Sequence, residues 1–330
     1  MRREAADDLA KAGDVAAAEQ LYRESLASDQ QSLGRRPFVG QSTAAFAKFL
    51  MHQGRFDEAE PVFVEALDIL SSTLGPDSGQ VAANLNEAAS NDQFRGDYVS
   101  AKRRCLEAAR IFANSRPEVR QAFLPWVWYT LARIGIATGD ATIYRQACEG
   151  LIPLHREDSV PEFSKAITFT CGMGPNGLEH PDLAVQLGRR AAAGLPKTPW
   201  AQQDLGMVYF RAGQPADAER ELTASVARQG SQPHFLAMTF LAMTYEELNR
   251  HDEALQWLAQ AEAWHAARLD QKAREDHEAA AARAAADPAA PTRRLAQDPF
   301  LTWDDTVLFG CILQEAQRRI RGTAPADEAN

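Results

Sequence analysis

The stretch Gln203–Gln229, QDLGMVYFRAGQPADAERELTASVARQ, decides the fold. Small residues stand at Gly206, Ala218 and Ser225. Gly213 lies where one helical pattern of apolar residues gives way to the next. Two helices can cross closely only where the side chains are small, and a chain reverses in a left-handed turn most easily at glycine. The stretch therefore predicts two antiparallel helices joined by a tight turn.

The same spacing recurs along most of the chain. Small or apolar residues recur five, nine and twelve positions after a turn residue and seven positions before it. The turn residues around which this spacing fits are Gly13, Gly54, Gly96, Gly213 and Asn249. Around Gly139 the later positions hold the larger Tyr144, Cys148 and Leu151. We therefore expect looser packing or a shifted helix in the pair at Gly139.

Charge and hydropathy argue against several classes of protein. The net charge of −10 and the isoelectric point near 5.3 oppose nucleic-acid binding, which depends on clustered Lys and Arg. The start, MRREAADDLAKAGD, has no apolar core, and no stretch approaches the roughly 18 apolar residues of a membrane span. The sequence predicts a cytoplasmic protein with neither a nucleic-acid nor a membrane partner.

No motif of catalysis, metal binding or cofactor binding is found. The four cysteines, Cys105, Cys148, Cys171 and Cys311, lack zinc-site spacing, and the seven histidines include neither HExxH nor a pair four residues apart. No GxSxG motif would activate a serine. The glycine-rich GMGPNG (Gly172–Gly177) follows a helix and contains a proline, which favours a plain loop over a phosphate site. We predict no catalytic residue, metal or cofactor, and no enzyme activity.

The helix-turn-helix spacing resembles the tetratricopeptide repeat. In the first half, successive turn residues are 41, 42 and 43 residues apart, longer than the roughly 34 of an ordinary unit. There TLGPDSGQVAANLNEAA (Thr73–Ala89) resembles the repeats of kinesin light chains. Ser90, Asn91 and Asp92 follow where that family carries apolar residues. We therefore expect Asp92 to be exposed.

The second half resembles the helical tails that follow bacterial serine/threonine kinase or β-propeller domains. The resemblance rests on FTCGMGP, on the stretch at Gln203–Gln229 and on FLAMTFLAMTYEELNRHDEALQWLAQAEAW. The phosphate loop, HRD and DFG motifs of kinases are absent from the sequence. If the resemblance holds, this half is the noncatalytic part of such proteins.

Together these patterns predict an all-α fold, a right-handed α-solenoid of about seven repeat-like helix pairs with a C-terminal capping helix. Residues 1–152 would hold units spaced by about 42 residues, and residues 153–264 units spaced by about 34–36. Residues 265–321 would form a long polar helix, a linker and the capping helix Leu301–Arg321, before a disordered tail at 322–330. A terminal helix is expected because the last unit of an array otherwise exposes its apolar face.

A binding surface is expected where the first helix of each pair lines the concave side. Its candidate residues are Lys48, Asn86, Trp126, Tyr129, Arg133, Trp200, Gln203, Met207 and Met243. Amides can pair with a peptide backbone, aromatic and Met side chains give apolar contact, and Lys48 and Arg133 could hold a carboxylate. The alternative is that the Trp and Met residues belong to the core. Asn86 matches the family's peptide-contacting Asn, but a full carboxylate clamp is missing, so a chaperone tail is not expected.

We predict a noncatalytic scaffold or adaptor that binds a peptide or partner domain on the concave surface. The alternative function is the regulatory C-terminal part, or a separated remnant, of a larger bacterial kinase or β-propeller signalling protein. The sequence specifies neither a partner nor an oligomeric state.

Overall fold

The structure is a computed structural model that describes residues 2–155, 159–230, 234–284 and 305–322. Within these ranges the chain forms fifteen α-helices, one short 3-10 helix and no strand. The predicted all-α class is therefore confirmed. The first fourteen α-helices follow one another as seven pairs, and the fifteenth follows the last pair.

The helices are α1 Arg2–Ala12, α2 Val15–Leu33, α3 Pro37–His52, α4 Phe56–Leu74, α5 Gly79–Phe94, α6 Tyr98–Ala113, α7 Pro117–Thr138, α8 Ala141–Leu151, α9 Pro161–Met173, α10 Asp182–Gly194, α11 Pro199–Arg211, α12 Pro215–Gln229, α13 Phe235–Glu247, α14 His251–Ala284 and α15 Asp305–Arg321. The 3-10 helix Ile152–Leu154 follows α8. The described residues divide into two compact units. Unit 1 holds residues 2–130 and 271–284, and unit 2 holds residues 131–270 and 305–322.

Each predicted turn residue lies between the two helices of a pair and has a positive φ. The six are Gly13, Gly54, Gly96, Gly139, Gly213 and Asn249, with φ between 59° and 100°. This left-handed conformation is strained for most L residues, and Asn tolerates it better than others. The turns are therefore placed as the sequence predicts.

Small residues let the two helices of each pair approach closely. In the pair α11 and α12, a Cβ on Gly206 would lie 2.5 Å from Cγ of Leu222, so only glycine fits there. Ala218 and Ser225, the other small residues of that pair, are fully buried. Ser225 also donates its hydroxyl to the carbonyl of Pro199 at 2.8 Å. The spacing seen in the sequence is therefore the spacing of helix crossings.

Three turns carry an aspartate directly after the glycine, and this aspartate caps the second helix. Asp14, Asp97 and Asp140 accept bonds from the backbone N–H three residues ahead, at 3.0–3.1 Å. A side-chain acceptor at this position satisfies one of the unpaired N–H groups that begin every helix. The Gly-Asp dipeptide therefore ends one helix and starts the next.

The pair at Gly139 is tightly packed, so the expectation of looser packing is wrong. Tyr144, which stands where a small residue was expected, is 2% exposed. A Cβ on Gly135 of α7 would lie 2.6 Å from the backbone nitrogen of Tyr144. On Gly174 or Gly177 a Cβ would lie 2.8–2.9 Å from Cε1 of the same ring. Three glycines therefore make the room that one large side chain fills.

The phenol of Tyr144 is held by the helix that follows. It donates to the carbonyl of Thr170 at 2.8 Å and accepts from the backbone N–H of Gly174 at 2.9 Å. Burial holds the pKa of this phenol well above its ordinary value. The glycines of the GMGPNG loop thus pack against a tyrosine ring, as suits the plain-loop interpretation.

The exposed position expected for Asp92 is also wrong. Asp92 is fully buried, and its Oδ2 lies 2.8 Å from an Nη atom of Arg104 on α6. Arg104 also bonds Glu60 of α4 through both terminal nitrogens, at 2.6 and 2.9 Å. Neighbouring Asn91 donates its amide to the carbonyl of Phe56 at 3.0 Å. The polar residues replace apolar packing between α4, α5 and α6 with hydrogen bonds and an ion pair.

Burial raises the pKa of Asp92 to about 7, against the opposing charge of Arg104. Bringing a carboxylate out of water disfavours its charged form, and the arginine offsets only part of that penalty. The group therefore takes up a proton more readily in the folded chain than in the unfolded one.

Helices α9 and α10 form a further pair between those at Gly139 and Gly213, and α15 confirms the predicted terminal helix. In unit 2, α15 packs its apolar face on α13 and α14, and the rings of Phe309 and Phe235 are 4.7 Å apart. Arg211 of α11 bonds both carboxylate oxygens of Glu315 on α15, at 2.5 and 2.8 Å. The predicted boundaries at residues 152 and 264 stay predictions, while 285–304 and 323–330 lie outside the described residues.

Replacing Gly135 by alanine should destabilise the protein by about 1–3 kcal/mol, because the new Cβ meets the backbone of Tyr144. Gly310 of α15 is the matched control, since its Cβ would meet nothing closer than 3.8 Å. Gly310→Ala should leave stability unchanged or raise it by up to about 1 kcal/mol through helix propensity. Urea unfolding of both variants measures the difference, and equal effects would contradict the close crossing.

Replacing Asp92 by asparagine should change how stability depends on pH. The folded chain binds the extra proton between pH 3.8 and about 7, so this group's contribution to stability falls as pH rises through that window. Asp92→Asn removes that loss. The free energy of unfolding of the variant, minus that of the natural chain, should therefore be larger at pH 8 than at pH 5. Urea unfolding at the two pH values measures this.

Glu19→Gln, outside the Asp92 cluster, is the control for that measurement. Burial works to raise the pKa of Glu19, but the bonds from Arg55 and Arg23 outweigh it and hold the pKa below 4.5. Its window therefore lies below pH 4.5, and its effect should be the same at pH 5 and pH 8. A constant effect of Asp92→Asn over this range would contradict the burial of the carboxylate.

Candidate functional site

In unit 1, polar residues join the first helices of successive pairs. Lys48 of α3 forms an ion pair with Glu87 of α5 at 2.6 Å, and Gln41 donates to Gln80 at 2.7 Å. Both bonds are exposed, and exposed pairs of this kind stabilise a fold by about 0–1 kcal/mol. The ammonium of Lys48 thus already faces a carboxylate, which a bound acidic group would have to replace or join.

Asn86 lies on α5 next to Glu87 and is partly buried. Its Oδ1 is buried and has no hydrogen-bond partner among the described residues. Ser90, one turn further on, donates its hydroxyl to the backbone carbonyl of Asn86 at 3.2 Å. The amide oxygen of Asn86 is therefore an acceptor that the folded chain leaves unused.

Three candidates lie on α7. Trp126 is 36% exposed, whereas Tyr129 and Arg133 are buried. Burial makes Tyr129 and Arg133 supports for this helix rather than contacts for a ligand. Of these three candidates, Trp126 is the one that a partner can reach directly.

In unit 2 the first helices of successive pairs touch one another, and several candidates lie in those contacts. Met207 and Met243 are fully buried, and Gln203 is nearly so. A Cβ on Gly172 of α9 would lie 3.1 Å from Cβ of Met207 on α11. Burial therefore favours the core alternative for both methionines. Neither they nor Gln203 belong to the exposed surface of unit 2.

An exposed aromatic contact of unit 2 lies at Trp200, near the start of α11. The indole is 41% exposed, and its other side meets the His234 ring edge-on at a centroid distance of 5.0 Å. His234 directly precedes α13 and also contacts the ring of Phe309 on α15, at 5.8 Å. Trp200 is thus held in place on one side and open to solvent on the other.

A buried carboxylate and a lysine lie beside this aromatic contact. Asp204 of α11 is 1% exposed, and its Oδ2 is 3.3 Å from Nζ of Lys165 on α9. Burial raises the pKa of Asp204 to about 6, with the charge of Lys165 opposing the rise. Asp204 lies one helical turn after Trp200 on α11, and Lys165 joins this surface through its ion pair with Asp204. We call Lys165, Trp200 and His234, with Asp204 beneath, the Trp200 surface.

His234 is neutral at physiological pH because burial, and then the charge of Lys165, lower its pKa to about 4. Its Nδ1 accepts the backbone N–H of Leu236 at 3.4 Å, so the ring caps α13 as well. Sequence reasoning identified Trp200 but missed Lys165, Asp204 and His234. An aspartate inside the apolar run DLGMVYF was the one available signal for a buried charge.

The described residues include no group of three or more His, Cys, Asp or Glu side chains that could hold a metal ion. Cys105, Cys148 and Cys171 are buried, and Cys311 is partly exposed. In the same part of the chain, no helix has both the length and the apolar character to cross a bilayer. The chemistry available at the Trp200 surface is that of binding: apolar contact, hydrogen bonding and one ammonium.

Comparison with known families identifies the repeat. One tetratricopeptide repeat model matches residues 41–114, and a second matches residues 3–74 and 204–267. Together these matches cover more than half of the chain. The chain belongs to the tetratricopeptide repeat family, as the spacing of its turns and small residues predicted. A search of curated proteins finds no match.

Solved structures with the same fold share little sequence. A tetratricopeptide repeat protein from Parabacteroides merdae is 14% identical with a TM-score of 0.51, covering 79% of this chain and 91% of that one. BtubC from P. vanneervenii is 21% identical with a TM-score of 0.46, covering 69% and 80%. A putative kinesin light chain from Podosopora anserina is 20% identical with a TM-score of 0.37, covering 71% and 98%. The first of these supports the fold.

Replacing His234 by asparagine should make the protein less sensitive to acid. The folded chain holds this pKa near 4, below the ordinary 6.5, so the unfolded chain binds the proton first as pH falls. The contribution of His234 is therefore present above pH 6.5 and is lost as the pH falls toward 4. His234→Asn keeps a capping acceptor but cannot take up a proton. Urea unfolding at pH 7 and pH 5 should show a smaller loss in the variant, and equal losses would contradict the burial of the ring.

Proposed function

We propose that this protein is a noncatalytic scaffold or adaptor that binds a segment of a partner protein at the Trp200 surface. Tetratricopeptide repeats generally mediate protein or peptide binding, and the repeat matches cover the first three pairs and the chain from residue 204, which lies four residues after Trp200 on α11. The observation that carries the proposal is the indole of Trp200, exposed on one side and fixed by His234 on the other.

A fixed, half-exposed tryptophan suits a binding contact because it offers a large apolar area at little loss of side-chain freedom. Interface residues that contribute most to affinity are enriched in tryptophan, and they lose most when truncated to alanine. An apolar side chain of the partner would lie against Trp200. Lys165 has three N–H donors and uses one direction toward Asp204, so it can also bond an acceptor of the partner.

Unit 1 offers a second, more polar contact region on its first helices. Lys48, Asn86 and Trp126 are the candidates there that reach solvent or leave an acceptor unused. We propose that Asn86 bonds the backbone of a partner segment and that Trp126 gives it apolar contact. Tyr129 would support this region from beneath, and Gln203, Met207 and Met243 would do so at the Trp200 surface, while Arg133 lies further along α7 in unit 2.

The alternative is a regulatory role as the C-terminal part, or a remnant, of a larger bacterial kinase or β-propeller protein. It is favoured by the resemblance of the second half alone. A kinase or propeller reading frame running into this one would favour it over a free-standing adaptor.

Trp200→Ala should weaken partner binding by about tenfold or more, because it removes the exposed apolar contact. Leu183→Ala is the matched control, since Leu183 of α10 is 43% exposed and outside the Trp200 surface. Partners captured by the natural chain are identified by mass spectrometry, and their affinity for each variant is then measured. Thermal melting checks that both variants are folded. Unchanged affinity with Trp200→Ala, or equal losses in both variants, would overturn the assignment.

A further inference from the structure

One side of helix α6 carries a stripe of apolar and cationic residues. The opposite side of the helix packs within unit 1. Val99, Leu106 and Arg110 follow one another along one side of the helix, at spacings of seven and four residues, with Lys102 and Arg103 between them. Val99 is 82% exposed, and Arg103 and Arg110 are also exposed. By contrast, Ala101, Cys105 and Ala108 on the opposite side of the helix are fully buried.

The stripe is one wall of a surface cavity of about 680 Å³. Leu85 of α5 lies in the other wall, and Val99, Leu106, Lys102 and Arg103 line the α6 side. Arg104, Glu107 and Arg110 complete the lining, so the cavity combines three aliphatic residues with four cations and one acid. Its size is in the range of sites that hold several side chains of a ligand.

The charge of α6 is opposite to that of the whole protein. The helix sequence YVSAKRRCLEAARIFA has four cations and one acid, whereas the chain has 45 acidic and 35 basic residues. Arg104 points inward to Asp92 and Glu60, and Arg110 bonds Glu107 and Asp77. Arg103, which is exposed, is therefore the cation of this lining on which the proposed docking depends.

We propose that this stripe is a second docking surface, which binds an acidic amphipathic helix of a partner protein. The occupant would carry two aliphatic side chains about two helical turns apart, to meet Val99 and Leu106. Those two residues are separated by about 10 Å along α6 at 1.5 Å per residue. Asp or Glu side chains between the aliphatic ones would face Arg103.

The apolar residues distinguish this occupant from a simple polyanion. Binding to a phosphate backbone needs cations in a cluster and gains nothing from an exposed valine. An amphipathic helix in a groove between two helices uses both, because apolar anchors give affinity while charges set orientation and partner choice. The surface lies on a second helix of its pair and shares no residue with the Trp200 surface.

The test uses a fluorescein-labelled acidic helical peptide with two leucines seven residues apart and glutamates between them. Fluorescence anisotropy measures its binding to the full chain. Two matched peptides replace the leucines by serine or the glutamates by lysine. The natural chain should bind the acidic peptide at least about tenfold more tightly than either matched peptide.

Variants of the protein locate the site. Arg103→Glu should weaken binding of the acidic peptide by about tenfold, and Val99→Ser by about threefold, because the first reverses a charge and the second removes apolar contact. Arg145→Glu and Val160→Ser, at exposed residues of unit 2, are the matched controls and should change binding by less than about twofold. If Arg103→Glu alters the fold, Arg103→Ala, which removes the charge without reversing it, is measured in its place.

Several results would overturn the proposal. One is that the acidic peptide does not bind the natural chain. Another is that the Arg103 and Val99 variants bind the acidic peptide as tightly as the natural chain does. Tighter binding of a DNA duplex that depends on Arg103 but not on Val99 would assign the surface to a polyanion. A dimer in sedimentation that Val99→Ser abolishes would assign it to a second copy of the chain.

Discussion

The fold depends on the close crossing of two helices on either side of a left-handed turn. At Gly206 there is no space for even one additional carbon atom, because Leu222 of the paired helix already occupies it. Each crossing joins only neighbouring helices, so a repeat fold is the sum of many such local contacts. The turn fixes where the second helix begins, and in three pairs the aspartate after the glycine fixes its first hydrogen bond.

This constraint is local, which explains why so much of the fold could be predicted from the sequence. A positive φ and a close helix contact each restrict the residue type at one position, and these positions are a fixed number of residues apart. What lies opposite a residue in another pair has no such fixed distance. Asp92 meets Glu60 through Arg104, and nothing at its own position indicates that partner. Such contacts are found only when the helices are in place.

The candidate site shows the same limit. Spacing identifies which side of a first helix faces its neighbours, and Trp200 was found in this way. It does not indicate how near the next first helix lies. In unit 2 these helices touch, so Met207 and Met243, at the same kind of position, are buried between them. Lys165 of the Trp200 surface comes from the preceding pair, and His234 is the residue before the next pair begins. No fixed repeat spacing links either residue to Trp200.

Tyr144 limits how this array could change in evolution. Elsewhere a repeat can in principle be duplicated, lost or exchanged, because much the same small residues join the two helices within each pair. Here the hydroxyl of Tyr144, on α8, bonds the backbone of α9 and of the loop after it. Glycines before and after α8 leave the space that Tyr144 occupies. A unit inserted or deleted between Gly135 and Gly177 would separate the ring from the hollow that receives it. We therefore expect this segment to be inherited as one block. Exchange of single repeat units, which the rest of the fold permits, should not occur within it.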